Sequence, residues 1–556
     1  MAVIRKNIRT LSKPELDNLV KAFAGIQALP PNDPNSFFMI AGYHGEPFRG
    51  AGYGSPQWWG GYCNHGNVLF PTWHRAYLFR LEQAMQSIVP GVALPYWDET
   101  EPASLQEGIP GVFLTKQWKY ADGTVIDNPL YSYKFQAKII DRLSPIPDAN
   151  YTKPSGYQTV RYPFSGLVGT ADDAKVTAQH NSDLEAKGQV YTDQLLNGNI
   201  VTWLNASHFV NSDGKIVNAG VKDKWAACLN APNYTAFSNT TSAQQWNDDN
   251  SDTTGYTTVV PLESPHNSIH LAVGGFEVQG QGNSDQYAGA NGDMGENDTA
   301  AFDPIFYFHH CFVDLAFALW QHRTGHAQSF DIIHGYPGTN SVDSQGPTPG
   351  VAGGTWLNLD SPLDPFKKPG CNTPMTSRDV MDITKLGYSY QYHGALGAMP
   401  EPGGAPQLGA PTPAPGAGGP NPMDEPAPVL AVSNINRANI GGSFMVTAWA
   451  KPADGSGDKV LVGTEAILSR WHVSGCANCQ NHLEVRVHMP LHGWSKREAE
   501  NMDFEVKVHT RQPLGDNFVV FECGQYHCKD VKDILPSWCQ MPQEAASGFP
   551  WLDSGF

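Results

Sequence analysis

The sequence predicts a mainly α N-terminal region, a four-helix bundle with long loops, followed by an all-β sandwich-like C-terminal domain. Three observations predict it. Four segments within the first 321 residues carry apolar side chains at helical spacing. Five short, alternating, β-branched runs lie in the last 127 residues, 430–556. Between them, in 394–429, 25 of 36 residues are Pro, Gly or Ala, a composition that cannot bury a core and reads as a semi-extended linker. The domains expected are therefore 1–393, the linker 394–429, and 430–556.

The first helix is predicted over 13–29, with Ser12 and Pro14 as start signals. A second, TWHRAYLFRLEQAMQ, runs from Thr72 to Gln86 and must end before Pro90. Two more are expected at Pro265–Val273 and Asp303–Gln321. The stretch from about 101 to 260 is rich in Gly, Asn, Asp, Thr and Tyr and reads mostly as loops. In the C-terminal part, SFMVTAWAKP, KVLVGTEAIL, HLEVRVHMPL, MDFEVKVHTRQ and NFVVFECG are the expected strands.

Composition excludes several classes. The chain has 556 residues, is 40% hydrophobic and carries a net charge of −18, so it can bury a large core. It lacks the clustered Lys and Arg that bind phosphate backbones, so no nucleic-acid partner is expected. No apolar run approaches the ~20 residues of a membrane helix. MAVIRKNIRTLSKPELDNLV has no signal-peptide apolar segment, so an intracellular, cytoplasmic location is expected. Nine cysteines cannot all pair within the chain.

The histidines carry the chemistry. His44, His65 and His74 lie in FFMIAGYHGEPF and GGYCNHGNVLFPTWHRAYLFRLEQ. His266 and His270, in LESPHNSIHLAVGG, are i and i+4, so both rings leave one helix face. His309 and His310 follow in FDPIFYFHHCFVD. Neutral imidazoles suit copper, zinc, iron or nickel, and several without a carboxylate triad favour copper or zinc. A zinc protease would need Glu after the first His of HxxxH; Asn267 stands there instead.

These motifs resemble those of the type 3 copper proteins: tyrosinases, catechol oxidases and hemocyanins. The resemblance covers roughly 1–393, and LGYSYQY at 386–392 matches the Tyr-x-Tyr that closes the family's core. SGCANCQNHLEVRVHMPL with MDFEVKVHT resembles the C-terminal domain of latent fungal-type tyrosinases. The resemblance implies His44, His65 and His74 on one copper (CuA), and His266, His270 and His310 on a second (CuB). His309 would be a structural neighbour. Asp314, one turn after His310, would support a ligating imidazole, although Leu315 stands where the family usually has Arg. Phe306 would pack on the ligand rings, and Cys63, two residues before His65, would form a thioether with that ring; read alone, it is a buried thiol.

The implied reaction consumes O₂, hydroxylating monophenols at the ortho position and oxidising o-diphenols to o-quinones, a chemistry associated by analogy with melanin pigments. Phenols have pKa ~10, so a base must take the proton near neutrality. Glu263 matches the family's water-holding Glu, and Asn267 matches the Asn that polarises that water. Asn297 falls near the family's gate position. The C-terminal domain would cover the site as a lid, with Trp471 and Tyr526 as candidate plugs. Cys476 and Cys479 form CxxC, open to readings as a disulfide, half a zinc site, a redox pair or a Cu(I)-loading site, the last implied by the resemblance. The alternatives are a catechol or o-aminophenol oxidase and a hemocyanin-like carrier. The natural phenol stays open, as does assembly, a homo-oligomer included.

Overall fold

The computed structural model describes residues 2–45, 61–141, 151–210, 216–218, 220–251, 253, 255–276, 289–341, 351, 354–400, 427–471, 483–491, 494–510 and 521–523. Strand β1 (Val3–Arg5) pairs in parallel with β2 (Tyr388–Tyr390), so the Tyr-x-Tyr stretch is zipped to the N-terminus. Four helices build the bundle: α1 (Lys13–Ala28), α2 (Phe70–Ile88), α3 (Glu263–Gly274) and α4 (Ile305–Thr324). Each overlaps the segment expected from periodicity.

Their ends follow local chemistry. Glu15 reaches back to the Ser12 amide at 2.8 Å, closing the first turn of α1. Gly275 and Gly325 end α3 and α4 at φ 115° and 77°, the left-handed conformation that glycine adopts without a Cβ clash. Helix α4 is buried from Ile305 to Gln321, which explains why its sequence shows no polar face. α2 packs on α1 and α4, and α4 packs on α3.

The expectation of loops between 101 and 260 is corrected. That stretch holds helices at Pro102–Glu107, Ala171–Glu185, Gln189–Asn205, Val221–Cys228, Tyr234–Ser238 and Thr240–Asn250. Ala171–Glu185 buries only Thr177 and Leu184, so it has almost no apolar stripe to read. Its start is nonetheless written locally, because Thr170 accepts from the Asp173 amide at 3.0 Å.

The C-terminal strands are β3 (Val429–Asn436), β4 (Phe444–Pro452), β5 (Val460–Ile467), β6 (Glu484–Pro490), β7 (Met502–Thr510) and β8 (Phe521–Cys523). Two antiparallel sheets, β3–β6 and β5–β4–β7–β8, close over Leu430, Val432, Val485 and Val487 on one side and Val446, Ala448, Phe504 and Val506 on the other. β3 was not among the expected strands, and its first residue lies in the expected linker. Residues 401–426 of that linker are outside the described residues. The C-terminal region is not detached: β5 packs on α3, and β6 packs on helix Thr240–Asn250.

Candidate metal centre

Helix periodicity places His266 and His270 on one face of α3, and α4 brings His310 against them. The His310 Nε2 lies 3.2 Å from the Nε2 of both His266 and His270. Lone pairs of neutral imidazoles repel at that distance unless a proton or cation lies between them. An ion about 2.0 Å from each nitrogen would see them at about 106°, close to tetrahedral. On the other side, ligand atoms of His44, Cys63 and His65 lie within 4.8 Å of one another. His74 joins this group, its ring 5.1 Å from His65 and 5.6 Å from His44. The groups face each other, with the rings of His74 and His310 stacked at 4.7 Å.

Backbone carbonyls fix most of the rings. Nδ1 of His74 bonds the carbonyl of Phe70 at 2.8 Å, Nδ1 of His270 that of Met294 at 2.8 Å, and Nδ1 of His44 that of Asn297 at 3.3 Å. His266 Nδ1 donates to Asn267 Oδ1 at 2.9 Å. Holding the proton on Nδ1 leaves each Nε2 lone pair facing inward. Nε2 of His44 and of His74 has no hydrogen-bond partner among the described residues. Burial, reinforced by neighbouring imidazoles, holds His44, His65, His266, His270 and His310 well below their ordinary pKa, and burial brings His74 down to about 3. The rings are therefore neutral at pH 7, as metal binding requires. A buried all-imidazole donor set suits two copper ions.

His309 lies in the same group of ligand atoms as His266, His270 and His310, with its Nδ1 donating to Glu99 Oε1 at 2.6 Å and Glu99 accepting from Trp225 Nε1 at 2.8 Å. Glu99 carries no sequence signal, because only the fold brings it beside α4. Phe306 stacks on His310 at 3.9 Å between ring centres. The Cys63 sulfur lies within 4.8 Å of ligand atoms of His44 and His65.

Asp314 corrects an expectation. Among the described residues it bonds no imidazole; it accepts from Arg75 Nε at 2.5 Å, Arg5 Nη1 at 3.2 Å, and the hydroxyls of Tyr388 and Tyr390 at 2.6 Å each. Its support for the site is indirect, through Arg75 beside His74 and the Tyr-x-Tyr strand. The missing Arg at 315 is supplied from α2 and β1.

Glu263 opens α3 and is 2% exposed. Its Oε1 accepts from the Gly66 amide at 2.8 Å, and its Oε2 from the amide and hydroxyl of Thr240 at 2.9 and 3.0 Å. Burial raises its pKa above the ordinary 4.5, only partly offset by these bonds. A cavity of about 30 Å³ adjoins it, lined by His65, Gly66, Glu263 and Asn267 and, from the C-terminal region, by Arg437 and Glu465. Such a space admits one or two waters beside the carboxylate.

Of the candidate plugs, Trp471 docks on Tyr151, its indole N–H donating to the phenol oxygen, and its ring contact is with Tyr151, 6.2 Å away, not with a histidine. The preceding Arg470 instead reaches the His44 carbonyl at 3.5 Å and the Cys63 sulfur at 3.7 Å. Tyr526, Cys476 and Cys479 lie outside the described residues. Asn297 is 7% exposed and serves His44 through its carbonyl, a contact no side-chain motif announces.

Comparison with known proteins agrees with this geometry. The family description "Common central domain of tyrosinase" matches residues 34–323. The chain is 48% identical over 524 residues to a tyrosinase of Aspergillus oryzae, covering 91% of this chain and 93% of that one. It is 46% identical over 563 residues to tyrosinase HcTyr2 of a Hahella species, covering 97% of each. Among solved structures, the tyrosinase from Burkholderia thailandensis at low pH superposes with a TM-score of 0.77 at 44% identity, over 92% of this chain and 95% of that one. The chain belongs to the tyrosinase family of copper oxidoreductases.

Proposed function

We propose that the chain is a latent tyrosinase, hydroxylating monophenols and oxidising o-diphenols to o-quinones with O₂. His44, His65 and His74 would hold one copper, and His266, His270 and His310 the other. Bound there, the copper pair supplies the two-electron reduction of O₂ that phenol oxidation requires. The chain's own residues prepare the substrate. Phe306 keeps the His310 ring in place, and the Nδ1 anchors keep the rings of His44, His74, His266 and His270 from turning. Glu263 accepts the phenol proton through a water in the adjoining cavity; a carboxylate whose proton affinity is raised by burial is the better base for a phenol. Asn267, its Oδ1 committed to His266, offers its NH₂ to that water.

The observation that carries this reading is the pairing of a proton-accepting carboxylate with the six converging imidazoles, beside which β5 packs on α3. Copper-loaded protein, before and after cutting near Gly404, is assayed for O₂ uptake on a monophenol and an o-diphenol. Uptake on both, rising after the cut, is expected. Uptake on the diphenol alone would replace the reading with a catechol oxidase.

A further inference from the structure

The C-terminal region meets the core through ion pairs of unequal depth. Arg486 and His488 of β6 engage Asp248 with side-chain exposures of 37%, 8% and 12%, and Lys224–Glu465 is 10% and 18% exposed. Of these, only Arg486 is appreciably open to water, and an exposed pair contributes little. Arg470 differs: it pairs with Asp298 at side-chain exposures of 1% and 3%. Its Nη2 also reaches the carbonyl of His44 at 3.5 Å and the Cys63 sulfur at 3.7 Å.

The seat of this arginine is the segment that orients a copper A residue. Asn297, next to Asp298, supplies the carbonyl that holds His44 Nδ1. The backbones are pressed together there: a Cβ on Gly45 would lie 2.2 Å from the Asp298 carbonyl oxygen. The Ser443 amide from the C-terminal region approaches Glu296 at 3.4 Å, and the Gly442 amide bonds the Arg470 carbonyl at 3.2 Å. Thus 441–443 and 470 sit together on 296–298.

We infer that Arg470 is the clasp of the latent form: its buried pair with Asp298 holds the C-terminal region shut and, through the same segment, fixes the His44 ring. The inference rests on the latency reading above and deepens it. Removing one member of a buried pair leaves an uncompensated charge and no partner to hold. Each single substitution therefore opens the clasp, and the double substitution, which breaks the same pair, adds little to either.

The test uses the full-length chain as wild type, R470M, D298N and R470M/D298N, copper-free and copper-loaded. Amide hydrogen exchange over 293–303 is followed in both forms, with the amides of α2 as an internal control for folding. O₂ uptake on an o-diphenol is followed before and after the linker is cut. Each single variant is expected to exchange at least about tenfold faster over 293–303 with α2 still protected, and its uncut uptake is expected to rise toward that of cut wild type. The double variant is expected to exchange and turn over no faster than the single variants, because all three lack the same pair; an effect in the double variant equal to the sum of the single effects, with α2 still protected, would overturn the clasp. Unchanged exchange and uptake in both single variants would likewise overturn it. Loss of protection in α2 of R470M moves the decision to D298N and the double variant. Equal uptake by wild type before and after cutting would overturn latency instead, and the clasp then stands or falls on exchange.

Discussion

Replacing Glu263 with Gln keeps the shape of the side chain and removes its ability to accept a proton. In the native chain the carboxylate receives three hydrogen bonds, from the Gly66 amide and from the amide and hydroxyl of Thr240. An amide can present its oxygen to only one of these neighbours; its NH₂ then faces a buried N–H donor. One buried donor left unsatisfied costs about 1–3 kcal/mol. That is small against the 5–15 kcal/mol of a typical domain, so the variant still folds and loads copper. The chemical loss is larger. A positioned base contributes about 10²–10⁴-fold, so monophenol kcat/KM is expected to fall by that factor. The o-diphenol falls less, because that reaction inserts no oxygen and the substrate has a second hydroxyl to deprotonate. The sign of the pH effect follows from burial. Because Glu263 binds its proton above the ordinary 4.5, the wild-type monophenol rate declines as pH falls through that raised value, and the Gln variant lacks this limb. Initial rates on both substrates across pH, normalised to copper content, decide the matter. Unchanged rates on both substrates with full copper occupancy would refute the proton-handling role.

Two further perturbations probe the scaffold. His270→Ala removes one of the three converging nitrogens, so copper per chain measured by elemental analysis is expected to fall by about half and O₂ uptake to vanish; full turnover would break the ligand assignment. Asp314→Asn strips the buried counter-charge from Arg75 and Arg5 and is expected to cost about 3–5 kcal/mol in denaturant unfolding at pH 7. Although burial pushes Asp314 up, Arg75 and Arg5 hold it below its ordinary value. Its stabilisation is therefore complete above the unfolded carboxyl pKa of ~3.9 and is lost as pH falls through the lower folded value. The gap between wild type and variant should close below about pH 4; a gap that persists there would assign the loss to packing.

What the residues announced by themselves was whatever depends on neighbours in sequence. Helical spacing placed α1, α2, α3 and α4, and it put His266 and His270 on one face, because a 3.6-residue period is a local property. Alternation likewise revealed β4 to β8. Helix Ala171–Glu185 escaped, since an element that buries only Thr177 and Leu184 has almost no period to read. The resemblance of the motifs to those of the type 3 copper proteins pointed to the six histidines and Glu263. It did not reveal what holds them. The carbonyls of Phe70, Met294 and Asn297 can be supplied by any residue type, so no side chain advertises them. Glu99 at His309, Arg75 and Arg5 at Asp314, and Arg470 at Asp298 pair across 210, 239, 309 and 172 residues of chain. A buried charge is tolerable only beside its partner, and only the tertiary fold decides which partner that is.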